Sequence, residues 1–338
     1  MVIDQVRKYT LSLVLIVLNE EARLERCLKS ALPFVDEIVV VDTGSTDNTV
    51  QIALEHGAKV EYFNWIRDFS AARNFALEQS TSDWNLILDA DEYITHVNMD
   101  VINKFMKNGN AVGRIQNISE ICEDGENSEV RSYITRLIPR GLRFKGRIHE
   151  QLETELPREN VPLQVYHDGY LEVNKSERNI PILLEEVKSQ QDSPYYHYML
   201  AKEYRGLQDI TKSITAFEEA YRLLIGNERY APNIIVDYMY ILMKDKQLVK
   251  ALEVINKQYG FVQDYPDYHF ACGVFYLDLI ISDTQTYLSY LPRIEEEYLR
   301  CLAIGEVDHL DSVAGTGSFA GPVQFCRPPS CVRREGEL

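Results

Sequence analysis

Three acidic residues in four positions, Asp89-Ala90-Asp91-Glu92, close the apolar run Trp84-Asn85-Leu86-Ile87-Leu88. A run of this kind reads as a buried strand. Carboxylates at its C-terminal end project into the crevice where open α/β sheets bind ligands. Asp89 and Asp91 are two apart, so a continuing strand points both to one face, with Glu92 flanking the pair. No lysine or arginine lies among their near neighbours in the sequence. The two carboxylates would therefore repel each other unless a cation sits between them. Hard oxygen donors suit Mg²⁺ or Mn²⁺, which keep waters and take further ligands from phosphates. The chemistry implied is the binding of a metal-bridged phosphate compound. An isolated D-x-D also occurs in solvated acidic loops, so the surrounding elements decide between the two.

Those elements alternate. Leu11–Leu18 reads as a strand opening into Asn19-Glu20-Glu21, and a helix follows with Leu24, Leu28 and Ala31 on one face. Glu37–Val41 is a second strand, ending at Asp42-Thr43-Gly44-Ser45-Thr46-Asp47, and its helix runs to Gly57, a plausible C-cap. Lys59–Phe63 is a third strand, Phe69–Gln79 a helix that carries Arg73, and the run before Asp89 a fourth strand. Strands separated by single helices imply βαβ units and a parallel sheet. Short strands expected near Val112–Ile118, Ser132–Ile138 and Leu163–Tyr166 suggest an antiparallel extension. Three strand ends thus bring Asn19-Glu20, Asp42 and Asp89/Asp91 to one edge, with Arg73 nearby.

From about Ser176 helical periods dominate. Tyr196–Leu224 resembles a tetratricopeptide unit, with Leu200, Ala201 and Tyr204 on its first helix and Phe217 and Ala220 on its second. Weaker pairs follow at Asn233–Lys244 with Leu248–Tyr259, and at Tyr268–Ile281 with Leu291–Ile304. Such units bury their apolar faces by stacking on neighbours. The expected organisation is an α/β domain over residues 1–175, an all-α tetratricopeptide-like domain over 176–310, and a tail over 311–338. The tail's Gly, Pro and Arg content cannot pack a helical core and reads as disordered or aberrant sequence.

The chain has 338 residues, 45% hydrophobic and 26% charged, with 35 Lys and Arg against 52 Asp and Glu and a net charge of −17. That balance argues against a nucleic-acid partner, since phosphate backbones are bound by clustered cations. Leu11–Leu18 is too short to span a bilayer, and no signal-peptide flanks or transmembrane segment is visible. Six cysteines (Cys27, Cys122, Cys272, Cys301, Cys326, Cys331) form no C-x-x-C pair and read as reduced thiols. A cytoplasmic protein is the expectation.

Taken in order, Val17-Leu18-Asn19-Glu20-Glu21, Val41-Asp42-Thr43-Gly44-Ser45-Thr46-Asp47, Ala72-Arg73-Asn74-Phe75-Ala76 and Leu88-Asp89-Ala90-Asp91-Glu92 resemble the GT-A fold glycosyltransferases of family 2 over roughly residues 10–170. The resemblance implies a UDP-sugar donor, most simply UDP-glucose, and inversion at the anomeric carbon. It places Asn19 and Glu20 in the nucleotide pocket, Glu20 near the ribose, and Asp42 against the N3–H of the base. Arg73 would sit by the base or diphosphate, Asp89 would hold ribose or metal, and Asp91 the metal, Mg²⁺ or Mn²⁺. A further motif, Phe144-Lys145-Gly146-Arg147-Ile148-His149-Glu150, precedes Tyr166-His167-Asp168-Gly169-Tyr170. Direct displacement needs a base to take the acceptor's proton; Glu150 leads, with His149 and His167 positioning diphosphate, metal or acceptor.

These later motifs and the helical half are similar to the bacterial S-glycosyltransferases that modify cysteine in bacteriocin peptides such as sublancin. The first-half motifs also resemble lipopolysaccharide inner-core glycosyltransferases. The acceptor is therefore a peptide, with a cysteine thiol or hydroxyl, or a glycan, and the helical domain binds peptide or makes a homodimer. Relatives continue helical past a G-T-G-S-F motif, here Gly315–Phe319, whereas this sequence departs from them at Ala320. A non-catalytic scaffold has no need of Asp42, Asp89 and Asp91. A nucleotidyltransferase would bring a Gly-rich basic loop after the first strand, and no G-x-x-x-x-G-K-[ST] is present.

Overall fold

The computed structural model describes residues 9–123, 126–167, 175–226, 228–258, 262–307, 312–313 and 316–318. Asp168, Gly169 and Tyr170, and most of the expected tail, lie outside these. By internal contacts the chain divides into two compact units, Met1–Glu186 and Val187–Leu338.

The first unit opens with β1 (Leu11–Val17), α1 (Leu24–Ala31), β2 (Glu37–Asp42), α2 (Thr49–Glu55), β3 (Lys59–Tyr62), α3 (Phe69–Gln79) and β4 (Trp84–Ile87). After these come β5 (Glu92–Val97), α4 (Met99–Asn108), β6 (Val112–Glu123), β7 (Glu126–Pro139), β8 (Arg143–Lys145), β9 (Gln151–Glu153) and β10 (Arg158–His167). The strands are ordered β3-β2-β1-β4-β7-β6-β10-β5, with β8 and β9 forming a separate hairpin. Pairing is parallel from β3 through β4 and antiparallel across β4–β7 and β7–β6. It is parallel again between β6 and β10 and antiparallel between β10 and β5. The expected extension is therefore mixed: the crossover from β7 through the β8–β9 hairpin returns β10 alongside β6.

The pattern of β1 explains why its run is continuously apolar. Leu11, Leu13, Leu15 and Val17 pack on one face with Leu24 and Leu28 of α1 and Ile102 and Met106 of α4. Val14 packs on the other with Val39, Val41, Ala76 of α3 and Phe144 of β8. A strand covered on both faces has no polar side to present. Helix boundaries follow local chemistry: Asp68 accepts from the Ala71 amide at the start of α3, and Gly109 (φ 66°) closes α4 in the left-handed region.

The helical region runs as α5 (Lys175–Ser189), α6 (Pro194–Gly206), α7 (Ile210–Leu223), α8 (Ala231–Lys244), α9 (Leu248–Gln258), α10 (Pro266–Ser282), α11 (Thr284–Tyr287) and α12 (Leu291–Ile304). Helices close in sequence pack together, α6 on α7, α8 on α9 and, across the short α11, α10 on α12. Ala201 and Ala220 are fully buried, and the Ser213 hydroxyl donates to the Ala201 carbonyl at 2.9 Å, so α6 and α7 approach closely. An α/β sheet followed by an all-helical region is the fold class read from the sequence. Among the described residues no helix is long and apolar enough to cross a membrane. Cys27, Cys272 and Cys301 are free and buried.

Candidate active site at the strand ends

β1 and β2 lie side by side, and the loops that leave them interlock. The Asn19 side-chain oxygen accepts from the Thr46 amide at 2.8 Å, while the Asn19 amide donates to the Ser45 hydroxyl at 2.8 Å. Asn19 sits at φ 54°, a left-handed conformation that asparagine tolerates. The Glu20 amide donates to the Thr49 hydroxyl, and Glu21 accepts from the Asn48 amide and side chain. Asp42 is buried; its Oδ2 accepts from the Gly44 and Ser45 amides at 3.0 and 3.1 Å, and its Oδ1 from Ser45 at 3.2 Å. Asn19 and Asp42 thus shape the loops with groups that the sequence reading had reserved for a nucleotide. Glu20 pairs with Arg23 at 3.6 Å.

The acidic stretch does not continue as a strand. β4 ends at Ile87, the chain turns at Ala90–Asp91, and β5 starts at Glu92. Glu92 closes that turn: its Oε2 accepts from the Asp89 amide at 2.9 Å, and its amide donates to the Asp89 carbonyl at 3.0 Å. The turn separates the partners of the two aspartates. Asp91, buried, meets His167 Nε2 at 3.1 Å through Oδ2. Asp89 faces two guanidiniums, Arg136 Nη2 at 2.6 Å from Oδ2 and Arg73 Nη2 at 3.4 Å from Oδ1. The cation that the sequence argument required is supplied here by arginines distant in sequence. Burial opposes the charge on Asp89, but Arg136 and then Arg73 outweigh it and hold the carboxyl well below its usual range. Glu92 goes the other way, pushed up by burial and by the Asp89 charge against the pull of Arg136.

Arg73 links this turn to the second motif. Its Nε donates to Glu150 Oε1 at 2.5 Å. Its Nη1 is buried and has no hydrogen-bond partner among the described residues. Two neighbours on α3 fix the same loop: Asn74 exchanges two 2.8 Å hydrogen bonds with the Phe144 backbone, and the Phe69 amide donates to the Arg147 carbonyl at 2.7 Å. Within the 146–150 loop, Gly146 (φ 92°) and His149 (φ 49°) are both left-handed. The result is a continuous chain of alternating charge, Glu150–Arg73–Asp89–Arg136–Glu92, with Asp91–His167 beside it.

Arg136 is the member that sequence reasoning missed. It sits in β7 where Thr135 pairs with Arg114 and Leu137 with Gly113, so Arg136 is the extra residue of a β-bulge. Bulges redirect side chains, but nothing in the alternation Tyr133-Ile134-Thr135-Arg136-Leu137-Ile138 announces one.

Among the described residues no group of three or more His, Cys, Asp or Glu side chains is placed to hold a metal ion. Asp91 and His167 are nevertheless a fitting pair of donors. Adjacent ligands of an octahedral ion at about 2.1 Å lie roughly 3 Å apart, and phosphates and waters complete such shells.

The strand ends of this mixed sheet thus gather carboxylates, arginines and a histidine around one turn. Residues 12–156 match the family described as Glycosyl transferase family 2. The chain is similar to the prophage-derived glycosyltransferase SunS of Bacillus subtilis, 29% identical over 314 residues that span 90% of this chain and 66% of SunS. A TPR repeat-containing protein of Synechococcus elongatus is 54% identical over 81 residues, 24% of this chain and 20% of that protein. The chain therefore spans less than two thirds of these relatives' length. Among solved structures, residues 1–349 of TarS from S. aureus align over 74% of this chain and 91% of that one, with 16% identity and a TM-score of 0.40.

Proposed function

We propose that the protein is an inverting, divalent-metal-dependent glycosyltransferase that moves a sugar, most simply glucose, from a UDP-sugar to a nucleophile on a peptide or glycan. The observation that carries this reading is the bridge made by Arg73. One guanidinium joins the acidic turn after β4 to the Glu150 loop, so donor-binding and base-bearing motifs meet at one point.

The interlocked loops after β1 and β2 form the nucleotide pocket, with Glu20 at the ribose. Asp42 has accepted three amide contacts, and its remaining lone pair on Oδ1 is available for the base N3–H. Asp91 and His167 would hold Mg²⁺ or Mn²⁺, which when bound supplies Lewis acidity to the departing diphosphate. Arg73 Nη1, buried and unpartnered, is satisfied when a diphosphate oxygen reaches it. Glu150 engages Arg73 through Oε1, which leaves Oε2 to take the acceptor's proton. His149, next to it in a left-handed turn, orients the acceptor. The resemblance of the later motifs to the bacteriocin-modifying S-glycosyltransferases supports a peptide acceptor, and a cysteine thiol ionises more readily than a hydroxyl.

Incubating the purified protein with Mn²⁺ and a panel of UDP-sugars should release UDP with at least one donor. No release with any donor, together with no UDP binding by calorimetry, sinks the reading. Replacing Glu150 by Gln should lower kcat on a hydroxyl acceptor by roughly 10²–10⁴-fold, the usual contribution of a positioned base. The loss on a thiol acceptor should be smaller; equal losses on both count against a thiol-directed enzyme.

A further inference from the structure

We infer that Arg147 is a positioning residue that pins the Glu150 loop between α3 and α5, so that α5 serves the chemistry of the sheet; this rests on the function proposed above. Glu150 ends the loop 146–150, which joins the three-residue strands β8 and β9. A hairpin this short has little stability of its own. Its loop also enters the left-handed region at Gly146 (φ 92°) and at His149 (φ 49°). A non-glycine residue stays there only where its surroundings impose it. The loop therefore needs holding from outside. α3 supplies one side: Asn74 binds the Phe144 backbone, and the Phe69 amide donates to the Arg147 carbonyl at 2.7 Å. α5 supplies the other, through the Arg147 side chain. Its Nη1 donates to Glu185 Oε2 at 2.8 Å, and its Nε lies 3.6 Å from Glu186 Oε1.

The pattern of α5 favours this grip. Arg178 and Glu185 are seven apart, which puts them on one face of the helix, two turns from each other. Arg178 lies over the Phe69 ring, its Cζ 5.0 Å from the centroid, while Glu185 meets Arg147. Phe69 and Arg147 are themselves joined through the backbone, so one face of α5 holds both members of that bond. The division of the chain at Glu186 puts most of α5 with the sheet. The Arg147 and Glu185 side chains are 48% and 46% exposed, and an ion pair in that setting contributes little to global stability. It can still select among conformers of a short loop, because local openings begin at free energies near zero. The Glu186 side chain is 7% exposed, so the same guanidinium also answers a carboxylate that burial penalises. Held at its carbonyl from α3 and at its guanidinium from α5, Arg147 fixes the chain three residues ahead of Glu150 and keeps Oε1 on Arg73.

The test reads donor hydrolysis, with water as acceptor, by the intact protein with Mn²⁺ and UDP-glucose, or the panel member that the parent turns over. Arg147→Gln should lower kcat about five- to tenfold, the scale of a half-exposed ion pair, with the donor KM within about twofold and the melting temperature little changed. Arg147→Lys, which keeps the charge without the planar fork, should recover part of the loss. Glu185→Gln should lower kcat in the same direction, and the two substitutions together should lose less than their separate losses multiplied. Combined with Glu150→Gln, Arg147→Gln should have no further effect, since it acts through that carboxylate. Equal losses from Arg147→Gln with and without Glu150→Gln would overturn this role. So would a parent-like kcat for Arg147→Gln, or a change confined to the donor KM. Should turnover of Glu150→Gln fall below detection, independent losses from Arg147→Gln and Glu185→Gln overturn it just as well. If the parent releases no UDP from any donor of the panel, the proposed function fails, and this role with it.

Discussion

Asn74 shows how one side chain can hold a site together without touching its chemistry. Its amide donates to the Phe144 carbonyl and accepts from the Phe144 amide, both at 2.8 Å, which substitutes for a missing strand partner on β8. Arg73 beside it can then meet Glu150 in the same loop. Asn74→Ala leaves the Phe144 N–H and C=O without these partners, at a cost of about 1–3 kcal/mol if both stay buried. Expected is a lowered melting temperature together with a fall in kcat larger than the rise in KM for the donor, since the loop that moves carries Glu150 and not the nucleotide pocket. Steady-state kinetics with the donor varied, beside a thermal melt, check this; a change in donor KM alone would contradict it. Asn74→Asp is the sharper variant, because a carboxylate still accepts from the amide but meets the Phe144 carbonyl with like polarity.

At the scale of elements, the β7 bulge depends on how closely β6 and β7 approach. A Cβ added to Gly113 would lie 2.9 Å from Leu137 Cβ and 3.2 Å from Val161 Cγ1. Gly113→Ala should therefore cost about 1–3 kcal/mol by overpacking and, by shifting the strand on which Arg136 sits, weaken UDP-glucose binding. Gly273→Ala is the matched control. There the new Cβ would meet the Tyr298 ring at 2.7 Å between α10 and α12, so a comparable loss of stability is expected with donor affinity unchanged. Denaturant melts and calorimetry on both variants separate the two effects. The contrast also marks what the sequence could and could not disclose. Apolar runs and their intervening helices place β1 to β4 and α1 to α3 within a residue or two, because period and burial are local properties. Asp89, Asp91, Glu150 and His167 were legible as chemistry-bearing types at the ends of elements. Arg136 was not, since its role arises from one unpaired residue in a long antiparallel pair. Nor were the inward turns of Asn19 and Asp42, whose amide partners are set by loop geometry. The parallel return of β10 to β6 was equally hidden, because a strand's period does not reveal its neighbour.

For the molecule as a whole, charge sets the response to pH. With 52 acidic and 35 basic residues, a net −17 at neutral pH makes self-repulsion a general destabilising load. Lowering the pH from 8 toward about 5 reduces that load, so stability should rise over this interval, and the rise should flatten in about 0.5 M salt, where screening is short-ranged. Further acidification works against specific pairs. Asp89, held down by Arg136 and Arg73 against burial, has a carboxyl below its usual range. So has Asp237, where burial is outweighed by Arg205 and then Lys202, with Arg205 Nη1 at 2.8 Å and the Tyr198 hydroxyl at 2.7 Å. A carboxyl whose folded value lies below its unfolded value of about 3.9 contributes stability that is present above that value and lost as pH falls through the folded one. Acid unfolding should accordingly begin below pH 4. Asp237→Asn, which removes one such pair from the helical unit, should destabilise at pH 7 by about 1–3 kcal/mol, the cost of leaving Arg205 and Tyr198 short of a charged partner. The deficit should shrink toward zero as the pH falls through the lowered folded value of Asp237, where the parent's own carboxyl becomes neutral. Thermal melts of parent and variant across pH 2–8, at low and high salt, measure both trends. A deficit that stays constant with pH would show that Asp237 acts through packing and not through its charge.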